Sequence, residues 1–248
     1  MPFEYIDGAN AGAPIAFNDG GVPEALERIE EEILCHPIVR HPFLETLKAG
    51  KYSKNQVRAW IGQQFYFSTQ FPRCLAALYA RLDDFEASKS LMDFLAVEHW
   101  GSKSEGAHWK QYSRTLAFFD LQIDDLRNSE PLPETRKYLD YRLALCLERT
   151  VEEALGVIGF GHELINQKIF QSYLDGISKI DGIPAEAVTY FRVHVRDEPD
   201  DYRVLKELMF TKGGTPEAID RMRSGAENVL RARYTFFDQI QERLDAVR

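Results

Sequence analysis

The stretch that decides the fold is Ser53–Leu82, SKNQVRAWIGQQFYFSTQFPRCLAALYARL. Apolar residues recur through it with the spacing of one helix face, and it carries no period-2 alternation. Ser53 stands where an N-cap belongs. A helix of this length is long for a globular protein, and Pro72 within it predicts a bend.

The same period continues on both sides. Pro23–Cys35 opens with proline at an early helical position and sets Leu26, Ile29, Ile33 and Leu34 on one face. His41–Ala49 is short and stops at Gly50. Downstream, helices are expected over Phe85–Trp100, Glu105–Phe118 and Pro133–Ile158. The last of these resumes through Gly159 and Gly161 to Leu174. Asp124–Ser129 reads as a turn or short helix. Ala185–Met209 and Pro216–Val247 complete the set, with Pro199 inside the former. Gly, Pro and Asn clusters separate the segments, and no internal repeat or low-complexity tract occurs. The expectation is an all-α bundle of seven to eight helices. It forms one domain over residues 22–248, behind a loosely ordered leader at 1–21.

Composition narrows the function. The 248 residues carry 44% hydrophobic and 12% aromatic side chains, enough for a sizeable core. A formal charge of −9 argues against nucleic acid and against anionic membranes as partners. No stretch approaches the roughly 20 apolar residues that span a bilayer. The polar N-terminus lacks the pattern of a secretory signal. Cys35, Cys74 and Cys146 are far apart, each in an apolar helical setting, and no CxxC occurs. Buried thiols in a reducing cytoplasm are the simple expectation.

The chemistry must then come from polar residues on faces that also carry apolar ones. Glu98 and Glu105 lie seven apart, two turns along one face, with Gly101 between them. Glu105 and His108 have the ExxH spacing of helical dimetal sites, a weak signal alone. A solvated acidic face is the alternative for both acids. Glu163 lies in the apolar, Gly-rich run Gly159–Ile165, where a helix cap or an ordinary ion pair is the alternative. The strongest pattern is His194, Glu198 and Asp201 at i, i+4 and i+7. One imidazole and two carboxylates sharing a face make half of a metal site. Pro199 interrupts the helix hydrogen bonds there. The aromatic set Trp60, Phe65, Tyr66, Phe67 and Phe71, interleaved with Gln63 and Gln64, either lines a pocket or is plain core. Phosphate loops, nucleophile elbows and zinc motifs do not occur.

The run His36-Pro37, His41-Pro42-Phe43, Gly50, Gln56–Trp60, Gln63–Phe67 and Phe71-Pro72 resembles the opening of the haem-oxygenase-like superfamily. The likeness extends over about Leu34–Leu244. That superfamily includes pyrroloquinoline-quinone synthase C, the chlamydial death-domain-associating protein, the thiaminase II group and haem-oxygenase-like diiron oxidases. The diiron branch implies six ligands: a Glu with a His seven residues later, a Glu on a middle helix, and a His, an acid and a His at i, i+4 and i+7. Glu98, Glu163, His194 and Glu198 match four of these. Glu105 and Asp201 are acids where that branch carries His, so a second metal position would be all oxygen unless His108 or His162 compensates. The resemblance therefore implies iron, two ions by the pattern, with one ion, manganese or none left open by the departure. Dioxygen is the implied co-substrate.

The synthase C branch needs no cofactor, and the loop Glu98–Glu105 resembles its counterpart there. Phe67 and Phe170 stand where that branch carries Tyr and His. The thiaminase group uses a Cys nucleophile, and none here sits among the acids.

The preferred expectation is an oxygen-activating oxidase or oxygenase of a small organic substrate, such as an amino acid or fatty acid. Gln64, Tyr66, Phe67 and Phe160 would contact that substrate. One alternative is a cofactor-free oxidase in which His41, Gln64, Lys103, Arg192 and Arg196 hold the substrate. Another is a non-enzymatic interaction module. A homodimer is expected from the relatives.

Overall fold

A computed structural model describes residues 3, 21–100 and 107–247; for 197–201 it describes the backbone only. Among the described residues there are eleven α-helices and no strand. That corrects the expected seven to eight helices upward, because Ile123–Arg127 is helical and the expected run from Pro133 to Leu174 divides into three.

α1 (Gly21–Leu34) leads through a 3₁₀ turn, Pro37–Arg40, to α2 (Pro42–Lys48). His41 caps α2: its Nδ1 accepts from Phe43 N–H at 3.1 Å. Its Nε2 is therefore the protonated nitrogen and donates to Asp238 Oδ1 at 3.1 Å. α3 (Lys54–Tyr79) starts at the expected Ser53 cap, which forms a full capping box with Gln56, and passes through Pro72 unbroken. α4 spans Phe85–Trp100, α5 His108–Phe118 and α6 Ile123–Arg127.

The expected helix from Pro133 to Ile158 is two. α7 (Pro133–Glu148) stops at Arg149, whose ψ of 177° is extended. α8 (Val151–Leu155) restarts behind a Thr150–Glu153 capping box. It runs without a break into a nine-residue π-helix, Gly156–Leu164, and then into α9 (Ile165–Ile177). A 3₁₀ turn at Ala185–Val188 introduces α10 (Thr189–Lys212), which carries Pro199 inside it. α11 (Pro216–Ala246) is the longest at 31 residues, about 46 Å.

α11 backs the π-helix closely. A Cβ at Gly156 would lie 1.8 Å from Met222 O, and one at Gly225 2.1 Å from Glu153 O. Only glycine permits two helix backbones to meet at this range, so the two glycines fix how the segments cross. The contact holds the π-helix against the interior of the bundle.

The core is one contiguous cluster running from Ala25 to Leu244. Cys74 and Cys146 are buried within it. Cys35 is exposed, contrary to expectation, because it follows the last turn of α1. No helix among the described residues is long and apolar enough to cross a membrane.

Candidate metal and substrate site

Three helices bring their polar residues to one interior point. α4 carries Glu98, the π-helix His162 and Glu163, and α10 His194; all four line a cavity of about 20 Å³. Phe67, Phe71 and Phe170 supply its apolar walls, and Ser68, Asn166 and Tyr190 its remaining polar ones. Adjacent residues on an α-helix point 100° apart. The wider i→i+5 winding of the π-helix narrows that step, so His162 and Glu163 both reach the cavity.

The geometry fixes several proton positions. His194 Nδ1 lies 2.8 Å from Tyr190 O. A carbonyl only accepts, so Nδ1 carries a proton, and Nε2 is the nitrogen left to meet a metal. This is the usual arrangement of a metal-binding histidine. The His194 ring stacks on Phe170, with centroids 4.5 Å apart and planes within 9°. His108, the first residue of α5, places Nδ1 3.4 Å from Glu98 Oε2 and its ring 4.7 Å from that of His194. Burial pushes the Glu98 carboxyl up, but the His108, His194 and His99 imidazoles outweigh it and hold it below the usual carboxylate range. Tyr190 OH and Ser68 Oγ share a 2.7 Å hydrogen bond at the cavity wall.

Behind the wall lie two buried cations. The guanidiniums of Arg142 and Arg233 stand 4.4 and 4.7 Å from the centroid of Phe67. Neither has a carboxylate partner among the described residues; Arg142 bonds Gln70 and Phe67 O, and Arg233 Nη1 donates to Asn166 Oδ1 at 2.9 Å. Burial, together with these two charges and His194, pushes the His162 imidazole well below its ordinary value, so the ring is neutral.

A second cavity, about 310 Å³, lies against the first and shares Ser68, Glu98 and Tyr190 with it. Its walls are largely aromatic, from Phe65, Trp109, Tyr112 and Tyr190, with Arg127 also lining it. A larger cavity, about 1020 Å³, is a groove along Leu34–Lys48 and Gln167–Ser172 and contains none of these acids.

Of the residues expected from sequence, Glu98, Glu163, His194 and Phe67 meet at the inner cavity. Glu105 lies outside the described residues, as do the side chains of Glu198 and Asp201. Gln64 is buried in α3 one hydrogen bond behind the wall, with Nε2 3.4 Å from Ser68 Oγ. Tyr66 faces away from Phe67 and fastens α6, donating to Leu126 O at 2.9 Å. Phe160 is fully buried against Tyr202 and lines neither cavity. His41, Gln64 and Arg192 line neither cavity, and Lys103 lies outside the described residues. Sequence reasoning missed Asn166 and Tyr190. Both stand on the same helix face as a residue it did find, three after Glu163 and four before His194.

The donor set suits a hard divalent cation: two carboxylates, His194 with Nδ1 bound to a carbonyl, and the neutral imidazole of His162, whose buried Nδ1 has no partner among the described residues. Among the described residues, no three such groups already stand close enough together to hold an ion as placed.

Comparison with known proteins agrees with this architecture. The fold is that of the haem-oxygenase-like superfamily. A Shewanella denitrificans domain with a heme oxygenase-like fold superposes with a TM-score of 0.66 at 12% identity, covering 92% of this chain and 94% of that one. Residues 30–239 match the TENA/THI-4/PQQC family, and the chain belongs to it. Among its relatives is a 4-aminobenzoate synthase of Chlamydia pneumoniae, 23% identical over 85% of this chain and 92% of its own length. Another is a pyrroloquinoline-quinone synthase of Acidiphilium cryptum, 28% identical over 72% of each chain.

Proposed function

We propose that this chain is an enzyme that oxidises a small organic molecule with dioxygen at a carboxylate-rich iron site. The observation that carries the reading is the convergence of Glu98, Glu163 and His194, from three separate helices, on one interior cavity. Relatives named as synthases of 4-aminobenzoate and of pyrroloquinoline quinone support an enzyme over an interaction module.

Glu98, Glu163 and His194 would hold the metal, with Glu105, Glu198 and Asp201 as further oxygen donors. Iron bound there supplies the electrons without which dioxygen reacts sluggishly with closed-shell organic molecules. The chain's own groups do the rest. The two carboxylates offset a dication in a setting that would otherwise penalise it. Phe67, Phe71 and Phe170 keep bulk water from the inner cavity. The Ser68–Tyr190 hydroxyl pair can take or give a proton at its wall. The substrate occupies the 310 Å³ cavity, with its reacting end toward Glu98.

The test is iron analysis of protein loaded anaerobically with ferrous ion, followed by oxygen uptake. Bound iron that is lost in Glu163→Ala and His194→Ala is the expected result. A parent protein with no metal above background overturns the reading. So does a Glu163→Ala protein that holds iron as tightly as the parent.

A further inference from the structure

His162 is 6% exposed, yet among the described residues neither of its ring nitrogens has a hydrogen bond. Nδ1 is buried and unpartnered, and Nε2 lies 3.9 Å from Glu163 Oε1, beyond hydrogen-bonding range. Buried polar groups are as a rule satisfied, so a buried ring with no hydrogen bond at either nitrogen needs another reason to be polar; an ion on Nε2 would supply one and leave Nδ1 as the protonated nitrogen. Packing does not account for the ring. It stacks on Phe71 at 3.8 Å between centroids and on Phe67 at 5.5 Å, where a phenylalanine would stack without polar atoms to bury. The π-helix turns this residue to the same cavity as Glu163.

The cavity, about 20 Å³, has room for one water or one ion. Two metal–ligand bonds of about 2.0–2.2 Å together reach roughly 4.2 Å. The 3.9 Å between Nε2 and Oε1 is within the span of a single ion bound by both.

We propose that His162 is itself a metal ligand, sharing one ion with the neighbouring Glu163. This rests on the oxidase reading above and gives the carboxylate-rich set a second nitrogen donor. A water held in the cavity would also satisfy the ring, and the test separates the two.

Cobalt(II) is titrated into the full-length protein and followed by its visible ligand-field bands, with a chelator as competitor. The variants are His162→Phe, His162→Gln and Glu163→Gln, each checked for folding by thermal melting. His162→Phe keeps the stack and removes the unsatisfied nitrogens, so without metal it should melt no lower than the parent. With metal, both His162 variants should lose at least about tenfold in affinity, the lower end of what changes one shell further out produce, and their bands should shift. Parental affinity and bands in either folded variant would overturn the proposal and leave the ring holding water. If only Glu163→Gln loses metal, the oxidase reading survives and the His162 assignment falls. A folded parent that takes up no cobalt brings down both.

Discussion

Gly156→Ala tests how the π-helix is held in place. The new methyl would fall 1.8 Å from the carbonyl oxygen of Met222, and the obstacle is the backbone of α11. A flexible side chain could swing aside; a backbone about two turns inside a 31-residue helix cannot. Overpacking costs about 1–3 kcal/mol, and this contact belongs at the upper end, about 3 kcal/mol. Alanine returns about 1 kcal/mol through its better helix propensity. The net loss is about 2 kcal/mol. A chain of this size loses about 2–4 °C per kcal/mol, so the melting temperature should fall by about 4–8 °C. Gly161→Ala meets Val229 Cγ1 at 2.3 Å instead, a side-chain obstacle. Its loss should be partly recovered in a Gly161→Ala, Val229→Ala double variant, which no second substitution does for Gly156. Gly214→Ala, with nothing within 4 Å, is the control and should stay within about 0.5 kcal/mol of the parent. Differential scanning calorimetry reads all four proteins. A Gly156→Ala midpoint within about 2 °C of the parent would refute the close approach of the two helices.

Thr150→Ala removes one half of the capping box that restarts the chain at α8. It should cost about 1 kcal/mol in urea unfolding, and a cost below a few tenths would show that the break at Arg149 needs no cap. Burial holds His36, His41 and His162 below their ordinary value of 6.5, for His41 against the opposing pull of Asp238. The unfolded chain therefore takes up protons below about pH 6.5 that the folded chain refuses. The stability these rings contribute is present above that value and is lost as the pH falls toward their folded values. The urea midpoint should drop between about pH 7.5 and 5.5, and a midpoint that rose over that range would contradict the burial of these rings. Tyr66→Phe deletes the hydroxyl that fastens α6, at about 1 kcal/mol, and should speed proteolytic nicking near Leu126–Ser129. An unchanged cleavage rate would mean that α6 is held by other contacts.

The helices read from sequence where period and punctuation agreed. Phe85–Trp100 has the same bounds in the structure, and Pro216–Val247 differs by one residue. Pro133–Ile158 failed because its apolar content runs on across Arg149 while the backbone does not. Thr150 and Glu153 already had capping-box spacing, a signal present but outweighed by periodicity. The π-helix left no comparable mark. Its glycines were visible, but that Gly156 faces Met222 depends on a contact some 66 positions away in the chain. At the site, Glu98, Glu163 and His194 stood out as polar residues in apolar surroundings. Tyr66 and Phe67 looked alike in one aromatic run, although neighbouring helix positions face 100° apart, and only Phe67 points inward. The buried Arg142 and Arg233 gave no signal, since an arginine on an amphipathic helix ordinarily faces solvent.

Glu98 is a party wall. It lines both the inner cavity and the chamber of about 310 Å³. An occupant of either room that favours one orientation of the carboxyl changes the other room's affinity by a factor, and thermodynamic linkage makes that factor the same in both directions. The two chambers can thus communicate through a shared side chain, and the order in which they fill need not be imposed by any moving lid.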